Sequence, residues 1–185
     1  VLGMGYGKAP GVDRTGDIFR QANFLGVGKN GGVLAVAGDD PSCKSSTLPS
    51  QSEPALFDAM MPIFYPGNVQ EILDLGRYAY EMSRYSGLWS GFKIVTDIAD
   101  AFGSAFVDPQ RVNITIPDFT YNGQPWKHTQ NAKLVGHHSL PTEKEIHLGR
   151  ITAAKHFLTS NPINKITVEG NQDKFGIITA GKTYY

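Results

Sequence analysis

The residues best suited to chemistry in this chain lie in one polar stretch, residues 38–53, reading Gly-Asp-Asp-Pro-Ser-Cys-Lys-Ser-Ser-Thr-Leu-Pro-Ser-Gln-Ser-Glu. Two adjacent carboxylates, Asp39 and Asp40, are followed by the hydroxyls of Ser45 and Ser46. While ionised, the carboxylates cannot bind an anion directly. At least one is therefore expected to anchor the loop by accepting backbone N–H bonds. So polar a stretch is costly to place against a sheet unless it holds something.

The elements that must position these groups come next. The apolar run of residues 32–37, Gly-Val-Leu-Ala-Val-Ala, reads as a buried strand of a parallel sheet that opens into the polar loop. Residues 1–6 read as another strand, followed by a loop over 7–13 that carries Lys8 and Gly11. If the two strands are neighbours, both loops open on one edge, and ligands of open α/β sheets bind beyond the carboxyl ends of the strands.

A helix is expected from Asp13 or Thr15 to Leu25, and a short one over 55–60. A short strand follows at 62–66. The strongest helix runs over 69–85, with Asn68 and Glu71 as a capping box and Val69, Ile72, Leu73, Gly76 and Tyr80 on one face. Further strands are expected at 92–96, 112–116, 163–169 and 175–180. A second helix is expected over 142–159, with Thr142 and Glu145 as its capping box. The alternation predicts a mostly parallel α/β sheet with helices on both faces. The expected divisions are an α/β domain over 1–117, a linker arm over 118–140, and the first elements of a second α/β domain over 141–185.

Charge balance, with 17 basic and 17 acidic residues, gives no footing for nucleic acid or an anionic membrane. No apolar run reaches the roughly 20 residues of a membrane span. The single Cys43 precludes an internal disulfide and suits a reducing, cytoplasmic setting. The apolar runs at both ends suggest an excerpt of a longer protein.

Several motif spellings fail on context. Gly26-x-Gly28-x-x-Gly31 falls between a helix and a strand, whereas dinucleotide binding needs strand then helix. Gly176-x-x-x-x-Gly181-Lys182-Thr183 matches a phosphate loop, but the interval Ile-Ile-Thr-Ala is strand-forming. Gly38-Asp39-Asp40 with distant Asn68 departs from the Gly-Asp-Gly…Asn spelling of a magnesium–diphosphate site, and Asn68 is accounted for as a helix cap. The histidines give no metal-ligand spacing, and Cys43 has no CxxC partner.

Three segments together carry a resemblance: residues 6–17 (Tyr-Gly-Lys-Ala-Pro-Gly-Val-Asp-Arg-Thr-Gly-Asp), residues 32–53 with Gly-Asp-Asp-Pro and Ser-Ser, and Pro66-x-x-Val69-Gln70-Glu71-Ile72-Leu73-Asp74. The chain resembles the long bacterial indolepyruvate ferredoxin oxidoreductases, among the thiamine-dependent 2-oxoacid:ferredoxin oxidoreductases. The match is dense over residues 6–100 and returns at 161–164 and 176–184.

The resemblance implies oxidative decarboxylation of arylpyruvates to acyl-CoA with ferredoxin as acceptor. It implies thiamine diphosphate with magnesium, iron–sulfur clusters and coenzyme A, and a homo-oligomeric parent. This chain would be most of the domain facing the aminopyrimidine ring, inactive alone. The ring-protonating glutamate would lie upstream, and the diphosphate motif and cluster cysteines in other domains. Candidate binding residues are Lys8, Gly11, Asp39, Asp40, Ser45 and Ser46. A 2-oxoacid carboxylate would take donors from Lys8, Ser45, Ser46 or backbone N–H groups. Loop-stabilising hydrogen bonds account for any of these residues equally well. A nucleotide-binding module and a structural module of a larger protein are the alternatives.

Overall fold

The computed structural model describes residues 1–130, 133–172 and 174–185. Strand β1 (Leu2–Lys8) leads into helices α1 (Ala9–Arg14) and α2 (Gly16–Leu25), then β2 (Gly32–Asp39). After the polar loop come α3 (Glu53–Asp58), β3 (Ile63–Phe64), α4 (Val69–Ser86), β4 (Ser90–Val95) and α5 (Thr96–Ala99). The sheet order is β1-β2-β4-β3, every pairing parallel.

Connection handedness explains the layers. The chain steps in one direction from β1 to β2 to β3, then steps back to β4. Right-handed crossovers must then place α1–α3 on one face and α4 on the other. Alternation along the strands agrees. Leu34, Phe64 and Phe92 pack with Tyr78, Ala79 and Met82 of α4, while Ala35 and Ala37 pack with Val12, Leu56 and Ala59. The fold is thus the expected parallel α/β sheet with both faces covered. Edge strand β1 is the less covered, with Leu2, Met4 and Tyr6 exposed on its α4 side.

Asn68 caps α4 as expected, its side-chain oxygen accepting from Glu71 N at 2.9 Å. The Glu71 carboxylate reaches back one residue further than a capping box requires, to Gly67 N at 2.7 Å. The buried face of α4 is Tyr78, Ala79, Met82, Ser83 and Ser86. Leu73, expected on that face, is exposed.

Beyond β4 the structure departs further from expectation. Residues 112–116 form no strand. Val112 and Ile114 still join the core, but the Thr115 backbone pairs with the side chain of Asn161, at 2.8 Å from its N–H and 2.9 Å from its carbonyl. Residues 163–169 and 175–180, where described, form no strand either; Ile166, Val168, Phe175 and Ile177 are exposed with no neighbouring strand to complete a ladder.

The arm instead contains a hairpin, β5 (Thr120–Tyr121) and β6 (Gln124–Pro125), turned at Asn122-Gly123 with φ of 51° and 76°. The second long helix begins at Gly136, not Thr142. It comprises α6 (Gly136–Glu145), one wide π turn (Ile146–Arg150) and α7 (Ile151–Ser160). Thr142 lies inside it and bonds back to His138 O at 2.9 Å. Phe157 and Ala154 of α7 complete the core against α4. No described helix is long and apolar enough to cross a membrane.

Candidate functional site

Parallel pairing of β1 with β2 aligns Lys8 with Gly38, so both strands deliver their following residues to one carboxyl edge. The polar loop of residues 40–52 lies there. It is built on the two aspartates, and both prove to be anchors.

Asp39 is the last residue of β2 and is 1% exposed. Its Oδ1 accepts from Ser52 Oγ at 2.6 Å and its Oδ2 from Ser52 N at 2.8 Å, which staples the end of the loop to its beginning. Lys93 of β4 lies 3.5 Å from Oδ2, also pairs with Glu53, and sits 4.7 Å from the Tyr65 ring centroid. Three weak reasons to bury a lysine thus combine at one ammonium.

Asp40 is fully buried. Its Oδ1 accepts from Lys44 N at 2.9 Å and its Oδ2 from Ser45 N at 2.8 Å, while its own N–H donates to Ser50 Oγ at 2.8 Å. The Ser45 N–H is the largest influence holding its carboxyl below the ordinary aspartate range, against the opposing effect of burial, with Lys44 N–H adding to it. The carboxylate is therefore ionised at neutral pH and turned inward.

What faces outward is cationic and hydroxylic. Lys8 Nζ donates to Ser45 O at 2.8 Å and Ser45 Oγ at 3.3 Å, and both residues are exposed. Lys44 pairs with Asp97 at the end of β4, and this bond raises the lysine's pKa. The Ser46 hydroxyl oxygen is buried without a partner at hydrogen-bonding geometry among the described residues. Gly11 stands apart from this cluster: it is the third residue of α1, not a loop residue, and a Cβ there would meet nothing within 4 Å. Its glycine identity is thus not dictated by close packing in this chain.

Lys8, Asp40 and Ser45 are therefore brought together, Asp39 anchors the loop from below, the Ser46 hydroxyl is buried, and Gly11 lies outside the cluster. Sequence reasoning missed Lys93, Ser52 and Glu53. The signal was present: Lys93 is a lone cation in the otherwise apolar run of β4, one strand away from the aspartate pair.

The donor set does not suit a magnesium–diphosphate group. Both carboxylates spend their oxygens on the loop, and no group of three or more His, Cys, Asp or Glu among the described residues could hold a metal ion. The phosphate-loop spelling at 176–183 leads into a single 3-10 turn, Gly181–Tyr184, rather than a helix whose amino end could meet a phosphate.

The architecture is that of a parallel α/β unit with a polar loop, shaped by two buried aspartates, at its carboxyl edge. Comparison with known proteins narrows this. The chain is 28% identical to the indolepyruvate oxidoreductase subunit IorA of Pyrococcus abyssi across 96% of its length. It is 25% identical to the same subunit of Pyrococcus horikoshii across 96%, and 26% identical to that of Archaeoglobus fulgidus across 88%. The chain spans 26%, 26% and 25% of those relatives' lengths. No protein-family model matches, and no solved structure matches. The expected resemblance to indolepyruvate oxidoreductases is thus borne out, over a segment of their length.

Proposed function

We propose that this chain is one α/β segment of an oxidoreductase that decarboxylates indolepyruvate or a related arylpyruvate to the acyl-CoA and passes the electrons to ferredoxin. Its outward-facing loop would receive the substrate's carboxylate. The observation that carries this reading is the junction of Lys8 and Ser45 at the carboxyl edge, held by the inward-turned Asp40. The Lys8 ammonium and the Ser45 hydroxyl offer donors to a carboxylate, with Lys44, paired to Asp97, beside them, while Asp39 and Asp40 keep their negative charge turned away. The names of the relatives supply the substrate class.

In this reading thiamine diphosphate, which supplies the carbanion-stabilising chemistry when bound, is held with its magnesium by other parts of the enzyme. So are the iron–sulfur clusters and coenzyme A. This segment positions substrate and packs against those parts, and the enzyme acts as a homo-oligomer.

The test is a dye-reduction assay on the longer polypeptide that carries this chain, with clusters and cofactor intact. Viologen reduction that requires indolepyruvate, coenzyme A and thiamine diphosphate together is the expected result. Reduction with a different 2-oxoacid alone would move the substrate assignment, and no reduction with any 2-oxoacid would refute the reading.

A further inference from the structure

At the opposite edge of the sheet from the polar loop, the arm crosses the ends of two helices. Helix α2 closes at Gly26 (φ 82°) and α4 at Gly87 (φ 87°), each just before its following strand. The His128 imidazole lies over both. A Cβ on Gly87 would overlap the ring, and one on Gly26 would stand 2.7 Å from its Cε1. Its Nε2 is 2.9 Å from Val27 O, so the proton sits on Nε2 and is donated to that carbonyl. Its Nδ1 is buried and has no partner among the described residues.

Arg150 occupies the same corner and is 0% exposed. Its Nη1 donates to Asn23 O at 3.3 Å and Phe24 O at 3.1 Å, so it already serves the last carbonyls of α2. The wide π turn brings Glu145, five residues earlier, within 2.9 Å of its Nε. Among the described residues the charged groups that face His128 are Arg150 and Glu145, and Glu145 is committed to the arginine. The arm's other anchor is Trp126, whose Nε1 donates to Tyr85 O at 2.8 Å and whose ring fills the space beside Gly149.

We propose that residues 119–130 form an acid-released strap that ties α2 and α4 to the long helix and stays seated only while His128 is uncharged. A second cation beside the buried Arg150 has no carboxylate left to pair with among the described residues, and swinging the arm into water is the available relief. Burial first, and Arg150 second, hold the seated imidazole below the ordinary histidine range. The released imidazole binds its proton more readily than the seated one. Seating is therefore complete above the ordinary value, about 6.5, and weakens as pH falls below it.

The test uses the full chain with Trp89→Phe, which leaves Trp126 as its sole tryptophan. On acidification from pH 8 to 5, Trp126 emission should shift to the red with a midpoint below about 6.5. His128→Gln, which retains an N–H for Val27 O, should abolish the shift, and Glu145→Gln should move it to higher pH. Emission independent of pH, or a transition that persists in His128→Gln, would overturn the proposal. Should His128→Gln fail to fold, imidazole ¹⁵N shifts of the parent chain decide. Protonation of His128 with a midpoint below about 6.5, in step with a shift of the Trp126 indole N–H resonance, supports the strap; titration like a free histidine, or no change at Trp126 as His128 protonates, refutes it.

Discussion

Lys93 Nζ lies 3.5 Å from Asp39 Oδ2, beneath the loop that Asp39 closes through Ser52. This buried pair links two neighbouring strands at the edge where the candidate site forms. Replacing Lys93 by Met should destabilise the fold by about 3–5 kcal/mol, since it strands a buried carboxylate. Urea unfolding of the two proteins measures it; a loss under about 1 kcal/mol would show that Ser52 alone satisfies Asp39.

Asp40 predicts a local acid response. Its folded carboxyl titrates below the ordinary aspartate value, so its contribution is complete above that value and is lost as pH falls through the lowered one. The protection of the Lys44 and Ser45 amides, measured against the intrinsic exchange rate at each pH, should fall in that acidic window. In Asp40→Asn that protection should be low already at neutral pH and change little on acidification.

The register of α4 yields a contrast between two apolar residues. Met82 is 0% exposed and Leu73 is 43% exposed. Met82→Ala should cost about 2–5 kcal/mol, and Leu73→Ala about 0.5 kcal/mol or less. Equal losses in thermal or urea unfolding would mean that Leu73 is covered in solution.

Much of the sheet was legible because its signals are local. Buried runs, glycine breaks and the Asn68 cap mark β2, β4 and α4 without reference to anything distant. That at least one of the two aspartates anchors the loop was legible for a similar reason, since a loop aspartate always has backbone N–H groups within reach. What could not be read depended on partners. Residues 112–116 have the spelling of a strand, but the partner of Thr115 is an asparagine side chain 46 residues away, so no strand forms. Residues 175–180 have the composition of a strand but pair with no strand among the described residues. The helix expected from Thr142 starts instead at Gly136 and runs through Pro141. The Asn122-Gly123 hairpin is different: the signal was in plain sight and was passed over as linker.

Kinetics of the longer enzyme with Lys8→Met and with Ser45→Ala, measured against indolepyruvate, test the site most directly. The loop's frame rests on Asp39 and Asp40, so both variants should fold normally. Loss of a charge-assisted donor to the substrate carboxylate should lower kcat/KM about tenfold to a hundredfold, the equivalent of about 1.5–3 kcal/mol. Unchanged kcat/KM in both variants, with the protein folded and its cofactors bound, would contradict the assignment of this loop to the substrate.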